Sequence, residues 1–284
     1  MIVTDKKYYM DDMYKSKLDL MVKRLKGTDD AILVIDGGEG QGKTEMAFGT
    51  CYYMSYETGR DYGIDNIYFD LDKLIKDAVS TKGKIFHYDE AALGLQNTDW
   101  QNKIQKKFNT LVMIARKKKH FIVLCIPKFH RLTQYQIEER SIGLVHVYSK
   151  NNTQKGLFCY FTKKKKELLY TDWKRTRVKK YNEYLSFWGR FHIASKRIFT
   201  KEQIEEYERK KDEAILSLGD EDKTKISNQS KKWLTQRDQL IKYIKDKMNL
   251  KYTELFKELK EAGVKDFSME GLRHAYRSHD YKIS

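Results

Sequence analysis

The chain has 284 residues, enough for one large domain or a core with a small appendage, and long enough to bury an apolar core that folds without staples. Its 56 Lys+Arg against 40 Asp+Glu leave a net charge of +16, which suggests a polyanionic partner, nucleic acid before others; a Lys-rich solvated surface would give the same excess. Cys51, Cys125 and Cys159 are odd in number and far apart, which excludes a disulfide scaffold and reads as small core residues in a reducing compartment. No apolar run is long enough to cross a bilayer and the first residues lack a signal-peptide core, so the expected location is the cytoplasm, that of a host if the protein is virus- or plasmid-encoded. In chain order, the spacing of Met10, Met13, Leu18, Met21, Val22 and Leu25 predicts an amphipathic helix over 8–25. Strands are expected at 31–36, 66–70, 84–90 and 120–126, with helices at 43–56, 71–83 and 99–118 between them. That alternation implies crossover units and a parallel sheet covered by helices on both faces. "IGLVHVYS" and "GLFCYFT" flank "KNNTQK" as an antiparallel hairpin at one edge, to which "ELLYTDW" (167–173) is expected to add a third strand. A basic stretch, 163–180, holds nine positive and two negative residues. Thr200 and Gln203 form a capping box for a helix to about 218.

These features divide the chain into a core with its N-terminal helix (1–170), a basic helical extension (171–218), a polar linker (219–231) and a small helical domain (232–284). In the last part, helices are expected from Thr235 to Met248, over "YTELFKELKEAG" and over "SMEGLRHAYRS", a pattern of the helix-turn-helix kind.

Four glycines in the six positions 37–42 demand a reason, because glycine weakens ordered structure. Gly37, four residues, then Gly42-Lys43-Thr44 match G-x-x-x-x-G-K-[ST], the phosphate-binding loop. Glycines allow a tight turn whose amides converge on an anion, and the helix that follows points its positive end at it. Gly37, Gly38, Glu39, Gly40, Gln41, Gly42, Lys43, Thr44 and Glu45 are therefore the expected nucleotide-binding residues, with Lys43 bridging phosphates and Thr44 offering its hydroxyl to Mg²⁺. The strand "KIFHY" ends in Asp89-Glu90: Asp89 suits the Mg²⁺ shell and Glu90 suits polarising an attacking water, which favours hydrolysis. ATP and Mg²⁺ are the expected cofactors. Arg116 and Arg140 are candidates for an arginine acting on a neighbouring subunit's nucleotide, or else surface arginines. His274 and His279 have no cysteines at zinc spacing.

"GGEGQGKT", "IFHYDE" and "ARKKKHFIVLCIPKFHRLTQYQIEER", in that order, resemble the additional-strand P-loop ATPases, and within them the HerA/FtsK-type group that includes Zot-like and viral genome-packaging ATPases. The resemblance covers roughly 28–165, with Leu132 to Arg140 matching a segment after the fourth strand; the usual polar sensor is replaced around Pro127. It implies a RecA-like P-loop NTPase core, a ring of five or six subunits, nucleotide at the subunit interfaces, and DNA, duplex before single-stranded, through the pore. Lys117, Lys118, Lys119, Lys163, Lys164 and Lys165 are then candidate phosphate contacts, and Arg273, His274, Tyr276 and Arg277 candidate contacts of the C-terminal module, unless that module docks protein.

The expected function is an ATP-hydrolysing DNA translocase that packages a genome or transfers a mobile element, with a portal, coupling or replication protein as a further partner. A replication helicase or helicase loader, and a nucleotide-gated DNA-binding adaptor, are the alternatives; an acid placed as Glu90 is argues for turnover over the adaptor.

Overall fold

The computed structural model describes residues 1–27, 29–89, 98–150, 154–216 and 251–261. Its centre is β3 (Ala31–Asp36), a run of six residues with every position buried. Only a strand covered on both faces tolerates such a continuous apolar run. Alternate side chains divide between two layers. Leu33 and Ile35 pack with Leu18 and Met21 of α1 (Asp12–Lys26) and with Met46 and Ala47 of α2 (Lys43–Thr58). Ile32 and Val34 pack on the opposite face with Leu74 of α3 (Leu71–Ser80), Leu111 and Ala115 of α4 (Thr98–Lys118), and Leu169 of α5 (Lys163–Thr176).

The remaining strands are β4 (Ile67–Tyr68), β5 (Ile85–Asp89), β6 (Phe121–Ile126), β7 (Gly143–Lys150), β8 (Gln154–Thr162) and β9 (Phe187–Arg190). They form one seven-stranded sheet in the order β4-β5-β6-β3-β7-β8-β9, parallel from β4 to β7 and antiparallel from β7 to β9. The predicted α/β layering and the edge hairpin are both present. β6 lies between β3 and β5, so the strand that ends in Asp89 is one strand removed from the strand that feeds the glycine loop. In parallel sheets of this kind, ligands bind beyond the carboxyl ends of the strands, where Asp36 and Asp89 both lie.

Two expectations need correction. The first helix starts at Asp12, because the Asp11 carboxylate caps the Met13 and Tyr14 amides. Tyr8 and Tyr9 instead form β2, paired with β1 (Ile2–Val3), and the buried Tyr8 hydroxyl donates to Gly49 O. "ELLYTDW" belongs to α5 and is no strand: its aromatic and Thr residues raised the strand reading, but Lys166, Leu169, Tyr170 and Trp173 share one face at helical spacing. The third edge strand is β9, whose alternating burial marks one covered face. The capping box at Thr200 is reciprocal, with Thr200 and Gln203 each bonding the other's amide, and it opens α8 (201–216).

The chain divides into two compact units, Met1–Ile215 and Leu216–Ser284. The extension from 171 to 215 falls within the first unit, since β9 joins the sheet and α8 packs by Tyr207 on Phe48. In the second unit, α9 (Tyr252–Glu261) lies where a helix was predicted and buries Leu255. The other predicted C-terminal helices and the linker lie outside the described residues, as do Arg273, His274, Tyr276 and Arg277.

Leu132–Arg140 includes a single π-helical stretch (Tyr135–Arg140), and its end is capped by the buried ammonium of Lys166, which donates to Ile137 O and, at 3.4 Å, to Glu138 O. Burial pushes the Lys166 ammonium down from 10.5 to about 8. Because the folded value lies below the unfolded one, the unfolded chain binds the extra proton between pH 8 and 10.5, and stability rises with pH across that window. The cost of the buried charge, about 3 kcal/mol, is present in full below pH 8. Lys166→Met keeps the volume and removes this dependence, so the urea midpoint of the natural chain should gain on that of the variant between pH 7.5 and 10. Parallel pH profiles for the two would refute the assignment.

Candidate nucleotide site

The turn from β3 into α2 needs backbone that side chains oppose. Gly37, Gly40 and Gly42 have φ of 153°, 67° and 98°. At Gly37 space is also closed, since a Cβ there would lie 2.3 Å from Val147 O. The loop therefore lies tight against β7 and opens at Gly38, Glu39 and Gly40, which are exposed. Lys43 folds back over the loop, its Nζ donating to Gly37 O and Gly38 O at 2.9 Å each.

The two residues assigned to the metal touch. Thr44 Oγ1 donates to Asp89 Oδ2 at 2.8 Å, across 45 positions of sequence. The same oxygen accepts the Tyr207 hydroxyl of α8 at 2.7 Å. Tyr207 is buried beside Phe48, Phe69 and Asp89, and burial with the nearby carboxylate pushes its phenol far above the usual range, so it is a fixed donor. Beside Asp89 on the same sheet face, Cys125 stands in register where a polar sensor was sought, with Sγ 3.5 Å from His87 Nε2. His87 Nδ1 meets the Tyr62 hydroxyl at 3.1 Å, and burial drives the imidazole down to about 4, so the ring is neutral. His87, Asp89 and Cys125 offer three donor atoms within 4.8 Å of one another, close enough to share a cation.

Other expected residues separate from this cluster. Glu45 turns its carboxylate to the short helix α7 (Ser195–Ile198), accepting from the Ala194 and Ser195 amides and the Ser195 hydroxyl. It anchors the extension to α2, so the Glu45 side chain is engaged with α7 and turned away from the loop. Gln41 is half-buried behind the loop, and Gly42 lies under the Phe191 ring. Arg140 sits at the amino-terminal edge of the parallel strands, opposite the loop, paired with buried Asp30 at 2.6 Å and donating to Val112 O at 3.0 Å. Within the chain it braces the entry to β3. Arg116 is exposed in the last turn of α4 at that same edge. Glu90 lies outside the described residues.

The two lysine runs share one edge of the sheet. Lys117, Lys118 and Lys119 precede β6, and Lys163, Lys164 and Lys165 follow β8, whose last residue, Thr162, pairs with Gly143 at the start of β7. Both runs thus lie at the amino-terminal edge, away from the glycine loop. The first complements the carboxyl end of the α4 dipole. The second occupies the first turn of α5, where positive charge opposes the dipole, so helix stability does not account for it.

Sequence reasoning missed Tyr207, Glu45's anchoring role and Asp36. Asp36 ends β3 immediately before the loop and is fully buried, accepting from the Phe129 amide, the Tyr181 hydroxyl and His146. The signal for Asp36 was visible, an acid closing an apolar strand; Tyr207 showed only as an apolar position on an amphipathic helix. Compared with known proteins, the chain matches no family model and no curated protein.

Gly37→Ala tests the closed turn. The added methyl meets backbone and the φ is strained, so a loss of about 2–3 kcal/mol in urea denaturation is expected. A change below about 0.5 kcal/mol would show that the loop is not held against Val147.

Proposed function

We propose that the chain is a P-loop NTPase that hydrolyses ATP with Mg²⁺ and, as an oligomeric ring, moves duplex DNA. The observation that carries the reading is the direct bond between Thr44 and Asp89 at the mouth of a glycine loop with left-handed backbone. A hydroxyl on the first turn of the loop helix and a carboxylate ending a strand two places away are the two groups such a site needs for a metal. The donor set is hard oxygen, which suits Mg²⁺; when bound, Mg²⁺ neutralises charge on the phosphates.

The chain's own residues supply the rest. The loop amides and the amino end of α2 receive the phosphate anions. Lys43 exchanges the Gly37 and Gly38 carbonyls for phosphate oxygens. Tyr207 holds Asp89 by one oxygen and so orients the carboxylate. Glu90, by its place directly after Asp89, is the residue to take a proton from water. For the DNA, the support is the net charge and the two lysine runs at one edge, one of them placed against the dipole of its own helix.

Lys43→Ala should abolish binding of Mg·ATP, whereas Glu90→Gln should bind it and turn it over at least about a hundredfold more slowly. Turnover by the natural chain, measured with and without duplex and single-stranded DNA alongside its mass, decides the reading; no ATP consumed under any of these conditions would overturn it.

The lysine runs have their own test. Replacing Lys163, Lys164 and Lys165 together by Gln relieves repulsion at the start of α5, so stability should hold or rise while duplex affinity falls. The slope of log affinity against log salt should become shallower by up to about three. Unchanged affinity and slope would assign this run to solvent.

A further inference from the structure

The face of the sheet that meets α2 carries a second kind of chemistry beside Thr44. His87 and Asp89 alternate along β5 and so point to that face together, and Cys125 is the register partner of Asp89 on β6. All three residues are buried, and their donor atoms lie within 4.8 Å of one another. Cys125 Sγ stands 3.5 Å from His87 Nε2. Zn–N of about 2.0 Å and Zn–S of about 2.3 Å at a tetrahedral angle set that same edge at about 3.5 Å. The other edges need close by at most about 1.5 Å. Each donor also has the support that a metal site needs. His87 Nδ1 meets the Tyr62 hydroxyl at 3.1 Å; with that nitrogen's proton given to Tyr62, Nε2 turns its lone pair to Cys125. The Phe48 ring packs edge-on against the imidazole at 5.5 Å. Asp89 is held through Oδ2 by Thr44 and Tyr207. A cleft of about 140 Å³ walled by Thr44, Phe48 and Tyr207 opens beside it and gives an ion a route from solvent.

The donor set selects the ion. One imidazole, one thiolate and one carboxylate suit Zn²⁺ and its transition-metal relatives, whereas Mg²⁺ takes oxygen ligands. The opposite face of the sheet makes the contrast. Asp36, His146 and Cys159 repeat the same three residue types there, yet His146 Nδ1 meets Asp36 Oδ1 at 2.8 Å and its ring is stacked on Tyr181 of the short helix α6 (Tyr181–Tyr184) at 3.7 Å. Among the described residues, only His87, Asp89 and Cys125 gather three such donors.

We propose that His87, Asp89 and Cys125 form a three-ligand Zn²⁺ site with a fourth position left for water. The ion replaces the thiol proton, which passes to solvent. The site needs no phosphate and shares only Asp89 with the Mg²⁺ shell of the nucleotide reading. An ion bound there draws on the carboxylate that Thr44 and Tyr207 hold, so on that reading zinc would oppose magnesium.

The test is titration of the full, metal-free chain with Co²⁺, whose spectrum reports its ligands, followed by competition with Zn²⁺ and with Mg²⁺. One Co²⁺ per chain should bind, with the intense visible bands of a four-coordinate ion and a thiolate charge-transfer band in the near ultraviolet. Zn²⁺ should bleach both, and a large excess of Mg²⁺ should leave them. Cys125→Ala should remove the charge-transfer band and weaken Co²⁺ at least about a hundredfold, more than the loss of a supporting contact costs. The double variant Cys51→Ala, Cys159→Ala keeps Cys125 as its sole thiol and should retain the spectrum, which keeps the assignment testable if Cys125→Ala does not fold by circular dichroism. No thiolate band in the natural chain, its loss in the folded double variant, its survival in Cys125→Ala or its displacement by Mg²⁺ would overturn the site. The spectra are read without nucleotide, so that failure would leave the phosphate loop standing.

Discussion

One carboxylate oxygen ties the site together. Asp89 Oδ2 accepts from Thr44 on α2 and from Tyr207 on α8, residues 45 and 118 positions away in sequence. For that to happen, the end of β5 must reach across β6 to the start of α2, which requires the β5-β6-β3 order. It also requires a narrow residue on the intervening strand. Cys125 is in register with Asp89 on β6, and its small side chain leaves room for the contact. A large apolar side chain there would push α2 and β5 apart. The extension that looked like an appendage is in this way part of the site: Tyr207 reaches its floor, Glu45 holds α7, and Phe191 lies on Gly42.

The two edges of the parallel strands have opposite chemistry. At the carboxyl edge stand Asp36, Asp89 and the glycine loop, two buried acids beside a cradle of amides. At the amino edge stand the lysine runs and the Arg140–Asp30 pair. Helix dipoles explain part of this polarity, since α2 begins at the first edge and α4 ends in Arg116, Lys117 and Lys118 at the second. They do not explain four lysines opening α5, three of them exposed. Those three carry a cost to the helix of a few tenths of a kcal/mol each, a cost that binding an anion at that edge would offset.

Where the sequence was legible, the physics was local. The apolar runs at 31–36 and 121–126 could only be buried strands, and the glycine spacing could only be a turn with special backbone. The Thr44–Asp89 contact followed from motif and order together. Residues whose role depends on distant partners were not legible. "ELLYTDW" has the composition of a strand, and only the burial of Lys166 beneath the π-helical stretch shows why it is helical. Tyr8 fell at the start of the expected first helix, but it pairs in β2 and its hydroxyl donates to Gly49 O. Arg140 carried the type and approximate place of a catalytic arginine, yet Asp30, 110 positions earlier, takes its charge. A charge pair across that distance leaves no trace in spacing.

Lys43 shows how the glycine loop holds a positive charge with its own groups. A lysine beside a loop of converging amides would repel them if it had no acceptor. Here it folds onto the two carbonyls of the same loop, so its charge is matched by the loop's own oxygens. Two charge-assisted bonds of this sort are worth roughly 1.5–3 kcal/mol each, and a phosphate must replace them before it gains anything from the ammonium. On the nucleotide reading proposed above a triphosphate would do so, because its oxygens bear full charge and the loop amides would bind them at the same time. A neutral ligand cannot, and would leave the lysine with less than it had. On the nucleotide reading proposed above, the closed conformation of Lys43 would set a threshold of charge for entry; the glycines that permit the loop's shape are also what place Gly37 O and Gly38 O within its reach.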